Sequence, residues 1–440
     1  MIETEVISQR AFVMHARSQQ SNSAAAYELE EAIALSEALD LDVVDGEVVN
    51  VRDIRPNTFF TGGKVNEVAE IVRRDDIDVV VVNASLSPIQ QRNIEMALKA
   101  KVMDRQGLIL EIFARRAASS EGRLQVELAR QTYERSRLVR TWTHLERQRG
   151  GRGFLAGPGE RQIESDRRML DDRITRLRKQ LDQVRRTRGL QRKRRSRAPE
   201  RIVALVGYTN AGKSTLFNNL TDSDVFAEDL LFATLDTTLR VLALPNGKPC
   251  LLSDTVGFIS NLPTELVAAF QATLEEVKIA DLVLHVRDIA DPLAEQRRGD
   301  VLGVLDQIGA GPKHDQAYLE VWNKADLLSE DARSDIEQII AGEVALGPEG
   351  NPPEIVSAET GYGLDDLRLR IEAVLSAHDK TIVLTIPPQS SAARSWIYEK
   401  GDVLSEATHD DGAIEIVARL TQTDYGRLVS RFPDVIPSQA

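Results

Sequence analysis

Residues 202–215 read IVALVGYTNAGKST, and this stretch decides the fold of the domain that contains it. The apolar, β-branched run Ile202–Val206 is typical of a buried parallel strand, and a helix is predicted to begin at Lys213. The glycine loop between them matches the pattern GxxxxGK[ST] in the strand–loop–helix setting that the pattern requires. Glycines let backbone N–H groups approach phosphate oxygens, and the helix N-terminus adds partial positive charge. The stretch predicts a P-loop, and a chance glycine turn is the weaker alternative.

The residue types around the loop indicate how phosphates and a metal ion would be held. Lys213 is predicted to contact the β- and γ-phosphates, and the Ser214 hydroxyl is predicted to coordinate Mg²⁺. Asp254 opens the motif DTVG after a predicted strand, so its carboxylate would hold Mg²⁺ through water. The N–H of Gly257 would then meet the γ-phosphate. We therefore expect Mg²⁺ as cofactor, with Lys213 and Gly257 among the catalytic residues.

Two later motifs identify the base. NKAD occupies residues 323–326 and SAE occupies residues 357–359, and each follows a predicted strand. The Asp326 carboxylate can accept two hydrogen bonds from guanine N1 and N2, a donor pair that adenine does not present. Asn323 would support the loop and the base, and the Lys324 stem would lie over the ring. The ordered motifs predict binding of GTP and GDP, and they argue against a metabolic P-loop kinase.

The predicted nucleotide contacts of these motifs fall into four groups along the chain. The P-loop group is Gly207, Tyr208, Thr209, Asn210, Ala211, Gly212, Lys213, Ser214 and Thr215. The DTVG group is Asp254, Thr255, Val256 and Gly257. The base-reading groups are Asn323, Lys324, Ala325 and Asp326, then Ser357, Ala358 and Glu359, with the Ala358 N–H directed at guanine O6.

Length and composition set the broad class. A chain of 440 residues predicts roughly three domains of about 150 residues each. The single cysteine, Cys250, excludes an internal disulfide and fits a reducing compartment. The start MIETEVISQR has no apolar segment typical of a signal peptide, and no run of residues is apolar enough to span a membrane. We expect a cytoplasmic monomer with no membrane span.

The order of segments predicts an α/β protein with four parts. Residues 1–118 alternate strands with helices and predict a small α/β subdomain with a parallel sheet. Residues 119–198 predict a helical hairpin, residues 199–379 the P-loop domain, and residues 380–440 a small C-terminal α/β module. The triplet Gly62-Gly63-Lys64 suggests a second phosphate loop, but the missing first glycine and Ser/Thr favour a turn that leads into a helix.

The predicted hairpin carries a heptad seam and a basic tip. The seam on its second helix is Leu170, Ile174, Leu177, Leu181 and Val184, and a companion stripe is Leu124, Leu128, Leu138, Trp142 and Leu145. Between the helices, residues 149–159 read RGGRGFLAGPG, which predicts a non-helical tip. The net charge of the chain is −13, so basic residues concentrated on one arm indicate contact with nucleic-acid phosphates. The predicted RNA contacts are Arg149, Arg152, Phe154 and Arg161, with Phe154 suited to stacking.

Taken together, these motifs resemble the HflX family of translational GTPases over nearly the whole chain. The resemblance rests on GYTNAGKST, LFATLDTT, DTVGFI, NKAD and SAETGYG, on GGRGFLAGPGE before a helix, and on Asp104-Arg105. It implies that the N-terminal α/β subdomain and hairpin bind the large ribosomal subunit and its RNA, with the hairpin tip near the peptidyl-transferase region. It also implies a role in splitting or rescuing stalled ribosomes under stress. The alternative is an RNA-binding chaperone or ribosome-assembly factor that uses GTP as a conformational switch.

The resemblance adds a switch threonine and a second candidate ion. The family pattern favours Thr234 over Thr237 and Thr238 as the residue that completes the Mg²⁺ shell. Some related GTPases coordinate K⁺ at the position of Asn210, although an asparagine there also suits a tight loop. Many GTPases have a water-orienting glutamine where this chain has Phe258, so we expect slow intrinsic hydrolysis. The segment around Thr234 adds the nucleotide contacts Phe232, Ala233, Thr234, Leu235 and Asp236.

Overall fold

The computed structural model describes residues 8–17, 22–117, 119–148, 158–195, 201–221, 238–260, 271–342, 352–377, 379–409 and 412–438. The chain forms two compact units, one from residues 1–240 and 251–362 and the other from residues 241–250 and 363–440. Among the residues in these ranges, none of the helices has both the length and the apolar character that crossing a membrane requires.

The N-terminal subdomain is a parallel α/β sheet, as its alternating pattern predicts. Its elements are β1 (Arg10–Arg17), α1 (Asn22–Glu37), β2 (Asp42–Asn50), α2 (Gly62–Arg74), β3 (Val79–Asn83), α3 (Pro88–Leu98), β4 (Lys101–Asp104) and α4 (Arg105–Arg116). The strand order is β2-β1-β3-β4, and every neighbouring pair is parallel. The central strand β1 was not predicted from the sequence. Its apolar run, Ala11–Met14, is short and bounded by polar residues, so periodicity alone does not distinguish it.

The Gly62-Gly63-Lys64 triplet forms the start of α2 rather than a phosphate loop. The Lys64 ammonium contacts the Glu47 carboxylate at 2.5 Å and the Glu67 carboxylate at 3.0 Å. Although partial burial opposes the charge, these carboxylates raise the pKa of Lys64 above its usual range. The lysine is therefore bound by acidic side chains, which agrees with the helix-leading turn favoured by the sequence.

Two long helices form the hairpin, α5 (Ser120–Gln148) and α6 (Pro158–Arg195). They run antiparallel, because Glu127 pairs with Arg173 at 2.7 Å and Arg135 pairs with Asp171 at 3.0 Å. The expectation of a non-helical tip was wrong for residues 158–159, which begin α6. Proline is tolerated at this position because the first N–H groups of a helix have no intrahelical acceptor.

The heptad seam on α6 is confirmed at Ile174, Leu177 and Leu181, which are buried. On α5 two of the five predicted stripe positions, Leu124 and Leu128, are half-buried, and the side chains of Leu138, Trp142 and Leu145 lie outside the described residues. The described buried positions of α5 are Glu121, Gly122, Gln125, Val126, Ala129 and Gln131. Helix α5 packs against α3 and α4 as well as α6, so its buried face is set by three neighbours rather than by a two-helix seam.

The nucleotide domain is built on a six-stranded sheet. Its elements are β5 (Ile202–Gly207), α7 (Lys213–Thr221), β6 (Thr238–Ala243), β7 (Pro249–Asp254), α8 (Gln271–Ile279), β8 (Leu282–Asp288), α9 (Ala294–Ile308), β9 (Ala317–Asn323), α10 (Glu330–Gly342) and β10 (Glu354–Ile355). The strand order is β10-β9-β8-β5-β7-β6, and β5 is parallel to both β7 and β8. Loops at the carboxyl ends of parallel strands meet at one edge of a sheet. The P-loop, DTVG, NKAD and SAE therefore converge there.

One cluster of buried apolar residues includes both the N-terminal subdomain and the nucleotide domain. It contains Leu35 and Phe113 from the former, and Val206, Phe258 and Ile259 from the latter. Because the core is shared, the two parts cannot separate without exposing apolar surface. That exposure costs a free energy of about 25 cal/mol per Å².

The second compact unit contains the C-terminal module. Its described elements include α11 (Leu364–Ser376), β11 (Lys380–Ile386), α12 (Ser391–Lys400), β12 (Asp402–Thr408), β13 (Ile414–Leu420), α13 (Gln422–Arg431) and β14 (Ile436–Ser438). The strand order is β12-β13-β11-β14, with antiparallel pairing. The α/β character of the module is confirmed, but β12 and β14 were not predicted. Most of β12 is exposed, so it lacks the alternation of apolar and polar residues on which strand prediction depends.

The hairpin seam leads to a stability prediction. Ile174 is 2% exposed, whereas Met169 on the same helix is 60% exposed. Ile174→Ala should lower the free energy of opening of the hairpin by about 2–5 kcal/mol, because it leaves a cavity. Met169→Ala, the matched control, should change it by less than about 0.5 kcal/mol. Hydrogen exchange of the α5 and α6 amides measures both values, and equal effects would show that the seam is not the packed face.

Candidate nucleotide-binding site

Two glycines of the P-loop occupy positions that exclude any side chain. Gly207 has φ 153°, and a Cβ there would lie 2.2 Å from the carbonyl oxygen of Val286. Gly212 has φ 86°, and its Cβ would lie 2.2 Å from the side-chain nitrogen of Asn323. Between them, Asn210 is exposed and has φ 58°, a left-handed conformation that asparagine tolerates. The loop is thus pressed against β8 and the NKAD segment by close backbone approach.

Lys213 lies at the start of α7 and is 7% exposed. Its ammonium donates to the carbonyl oxygen of Tyr208 over 2.7 Å, which directs the side chain back across the loop. Burial lowers the pKa of Lys213 to about 8, although the nearby Asp254 carboxylate acts in the opposite direction. A phosphate group beside this ammonium would compensate the cost of burying its charge.

The structure brings together the two predicted Mg²⁺ residues that it describes. The Ser214 hydroxyl donates to Oδ2 of Asp254 over 2.9 Å, and Asp254 is fully buried at the end of β7. A hydroxyl and a carboxylate beside a phosphate loop are the oxygen donors that a hard cation such as Mg²⁺ prefers. Within the described ranges no cluster of three or more His, Cys, Asp or Glu residues forms a metal site. One hydroxyl and one carboxylate would leave the other coordination positions of such an ion to phosphate and water oxygens.

The DTVG segment is paired with the P-loop through the backbone. The Phe258 N–H donates to the Gly207 carbonyl over 3.0 Å, and the Thr209 N–H donates to the Phe258 carbonyl over 2.7 Å. Phe258 itself is 3% exposed and belongs to the shared core. A Cβ on Gly257 would lie 3.1 Å from the Lys213 ammonium nitrogen. Gly257 is thus next to the predicted phosphate-binding charge, whereas the Phe258 ring is packed inward.

Asn323 links three loops of the base-reading region. Its side-chain N–H donates to the Ala211 carbonyl over 2.8 Å, and its side-chain oxygen accepts from the Ala358 N–H over 2.9 Å. Ser357 Oγ donates to Oδ1 of Asp326 over 2.5 Å, which orients the carboxylate predicted to read guanine. The NKAD and SAE motifs are therefore held in register with the P-loop.

Lys324 contacts an acidic residue that belongs to none of the predicted motifs. Its ammonium lies 2.8 Å from Oδ2 of Asp288, the last residue of β8. Lys324 also has φ 66°, so the chain turns sharply at this point. Strand β8 ends beside the NKAD loop, and sequence spacing alone does not indicate that the Asp288 carboxylate lies there.

Several predicted site residues lie outside the described residues. These are Phe232, Ala233, Thr234, Leu235 and Asp236 of the switch segment, with the rival Thr237, and Arg149, Arg152 and Phe154 of the hairpin tip. Thr238, the other rival, opens strand β6, and Arg161 lies near the start of α6. The remaining predicted contacts belong to the loops already described, with Thr215 in α7, Thr255 and Val256 buried, and Ala325 and Glu359 beside the base-reading residues.

A cluster of polar contacts around the Tyr208 side chain was also not predicted from the sequence. The Tyr208 hydroxyl donates to Oε2 of Glu31 in α1 over 2.8 Å. The Arg105 guanidinium contacts the same carboxylate at 2.5 Å and the Ser260 carbonyl at 3.3 Å. Asp104-Arg105 contributed to the family resemblance, but the sequence did not indicate which residues this pair contacts.

Four family models match successive parts of the chain. They are described as GTP-binding GTPase N-terminal over residues 26–114, GTP-binding GTPase Middle Region over residues 116–195, 50S ribosome-binding GTPase over residues 202–324, and HflX C-terminal domain over residues 351–437. Among solved structures, a GTP-binding protein from Sulfolobus solfataricus in complex with GDP is similar, with 24% identity and a TM-score of 0.45. The similarity covers 84% of this chain and 99% of that chain.

Curated relatives match along most of both chains. GTPase HflX of Magnetococcus marinus is 49% identical over 391 residues, which cover 86% of this chain and 88% of the relative. GTPase HflX of Escherichia coli is 44% identical over 383 residues, which cover 87% of each chain. With the P-loop GTPase fold in place, this degree of identity shows that the protein is a GTPase and that the chain belongs to the HflX family.

Proposed function

We propose that this GTPase binds the large ribosomal subunit through its N-terminal subdomain and hairpin, and that it splits or rescues stalled ribosomes under stress. The observation that carries the proposal is the match of residues 202–324 to the model described as 50S ribosome-binding GTPase. The hairpin supports it, because a long two-helix arm with a basic tip suits contact with ribosomal RNA. A cytoplasmic location is part of the same proposal.

The nucleotide would be held by the loops that converge at the carboxyl edge of the sheet. The P-loop N–H groups and the Lys213 ammonium would bind the phosphates, and Asp326 and the Ala358 N–H would read guanine. Mg²⁺, held by Ser214 and Asp254 with Thr234 as the proposed third residue, would neutralise charge on the β- and γ-phosphates. Gly257 would donate its N–H to the γ-phosphate from its place beside Lys213.

The position after DTVG determines how the attacking water is oriented. The Phe258 ring is buried and cannot form a hydrogen bond with water, so no positioning group is available at this point of the chain. We propose that a ribosomal contact orders the switch segments or supplies the missing group. K⁺ beside Asn210 is a further candidate for part of the missing charge stabilisation.

The alternative function is that of an RNA-binding chaperone or ribosome-assembly factor that uses GTP as a conformational switch. Co-sedimentation with separated small and large subunits, in GTP-analogue and GDP states, tests the partner. A light-scattering assay of intact ribosomes with GTP then separates the two functions. A splitting factor lowers the scattering of intact ribosomes, whereas an assembly factor binds free large subunits and leaves intact ribosomes unchanged.

Asp326→Asn should shift nucleotide preference from guanosine towards xanthosine triphosphate. The exocyclic oxygen of xanthine requires a donor, and a hydrogen bond to a charged group contributes about 1.5–3 kcal/mol. The preference should therefore change by more than about tenfold. Asp288→Asn, which alters the carboxylate paired with Lys324, is the matched control and should weaken both nucleotides equally. If Asp326→Asn still prefers GTP by the wild-type factor in competition binding, NKAD does not read the base.

Reversing the charge at Arg149, Arg152 and Arg161 with glutamate should weaken binding to large subunits without changing GTP affinity. Phosphate contacts release counterions, so wild-type binding should also fall steeply as salt rises. The control is the same charge reversal at the exposed residues Lys313, Arg394 and Arg427, which lie in the nucleotide domain and the C-terminal module rather than in the proposed ribosome-binding parts. Equal losses of affinity for large subunits in the two triple variants would show that the tip arginines contribute only general electrostatic attraction.

The isolated full-length chain should hydrolyse GTP slowly in sodium buffer, because water positioning is absent at Phe258. Large subunits should accelerate single-turnover hydrolysis by on the order of a hundredfold, because misplacing a reacting group by about 1 Å slows a reaction by about that factor. Replacing sodium with potassium tests the Asn210 ion separately, with Asn210→Ala as its control. Rapid hydrolysis by the protein alone in sodium would contradict this account.

A further inference from the structure

Tyr208 is a P-loop residue whose side chain contacts another subdomain. Its hydroxyl donates to Oε2 of Glu31 over 2.8 Å and accepts from the backbone N–H of Ser260 over 2.9 Å. Glu31 belongs to α1 in the N-terminal subdomain, and Ser260 lies three residues after Gly257 of DTVG. One hydroxyl group therefore connects the phosphate loop, the segment after DTVG and the N-terminal subdomain.

Ser260 is held at each of its polar groups. Its N–H donates to Tyr208, and its carbonyl oxygen accepts from the Arg105 guanidinium at 3.3 Å. Its hydroxyl donates to Oδ2 of Asp300 in α9 over 2.5 Å. Two of these partners determine where the end of the DTVG segment can lie relative to α4 and the P-loop. We call the set Glu31, Arg105, Tyr208 and Ser260 the subdomain clamp.

Glu31 is the charged centre of the subdomain clamp. Its side chain is 8% exposed and contacts Arg105 at 2.5 Å and Arg297 at 3.3 Å. Arg297 also stacks over the Tyr208 ring, 4.5 Å from its centroid. Burial and the Glu31 charge raise the pKa of Tyr208 well above its usual range, so the phenol stays protonated and remains a donor. A buried carboxylate is stable here because two guanidinium groups and a hydroxyl compensate its desolvation.

The same part of the N-terminal subdomain is attached to the hairpin. Asp104 caps α4 by accepting from the Gly107 N–H over 2.8 Å. It also accepts from the Tyr133 hydroxyl over 2.8 Å and contacts Arg137 at 3.3 Å, both on helix α5. Asp104 thus binds the hairpin while its neighbour Arg105 binds Ser260. The two residues of this dipeptide therefore link helix α5 of the hairpin to the segment after DTVG.

We propose that Tyr208 and Arg105 are positioning residues that couple the γ-phosphate state of the nucleotide site to the N-terminal subdomain. GTP and GDP differ at the γ-phosphate, and Gly257 beside Lys213 is the expected contact for that group. A change in the position of Gly257 reaches Ser260 within three residues and alters the bonds to Tyr208 and Arg105. Coupling of binding equilibria is reciprocal. If the γ-phosphate changes the stability of the subdomain clamp, then weakening the clamp by mutation changes the ratio of the affinities for GTP and GDP.

The coupling is measured on the full-length protein with nucleotides alone. The quantity is the ratio of the dissociation constants for GDP and a non-hydrolysable GTP analogue, in wild type, Tyr208→Phe, Arg105→Lys and the double variant. Tyr208→Phe removes the shared hydroxyl, and Arg105→Lys keeps the charge but loses the planar fork that reaches Ser260 and Glu31 together. Tyr318→Phe is the matched control, since Tyr318 is a buried tyrosine whose hydroxyl bonds to His285 and Glu320 within the nucleotide domain.

Each single variant should change the ratio at least fivefold, the lower end of measured couplings. The double variant should change it by less than the product of the two, because both residues act through Ser260. Tyr318→Phe should leave the ratio within twofold, and circular dichroism identifies any variant that is misfolded. Hydrogen exchange of α1 and α4 should differ between the two nucleotide states in wild type and lose that difference in Tyr208→Phe. Unchanged ratios, or effects that simply multiply, would overturn the proposal. Because no ribosome is used, this result is independent of the proposed partner.

Discussion

The nucleotide site depends on one buried side-chain amide, that of Asn323. It is 1% exposed, and it joins the P-loop to the SAE loop by donating to one and accepting from the other. Removing it would leave the Ala211 carbonyl and the Ala358 N–H without these partners, at about 1–3 kcal/mol for each buried group. The approach of this amide also explains Gly212, because any Cβ there would collide with it. The side chain of Asn323 and the absence of a side chain at Gly212 are therefore required by the same packing contact.

Buried charges fix the surroundings of that site. Helix α9 carries adjacent arginines with different partners, since Arg297 contacts Glu31 and Arg298 contacts Glu320 at 2.7 Å. Burial opposes ionisation of Glu320, yet Arg287 and Arg298 lower its pKa to about 2. Breaking a buried pair by removing one partner costs about 3–5 kcal/mol, whereas the intact pair adds little net stability. These pairs therefore define the orientation of α9 relative to the strands and to α1 more than they strengthen the fold.

The parts of the site that follow from local geometry were predictable from the sequence. Gly207 and Gly212 are required by backbone contacts within the motif, and the Ser214–Asp254 contact follows from two motifs whose loops meet at one sheet edge. The hairpin seam at Ile174 also follows from spacing along one helix. The central strand β1 was missed because its apolar run is too short for periodicity to distinguish it. The Glu31–Tyr208 contact depends on which distant segments become neighbours, and no local pattern of residues carries that information.

The burial of Phe258 and the contacts of Ser260 are parts of one physical arrangement. A side chain packed into the shared core draws the backbone after DTVG against the P-loop, where Phe258 forms two main-chain hydrogen bonds. A glutamine at this position would need its own buried hydrogen-bond partners, or it would have to turn outward and give up that packing. Anchoring by Phe258 leaves Ser260 at the boundary with the N-terminal subdomain, where Tyr208 and Arg105 reach it. Phe258 thus stands in place of the water-positioning glutamine of many GTPases. It also brings the DTVG segment within reach of the N-terminal subdomain.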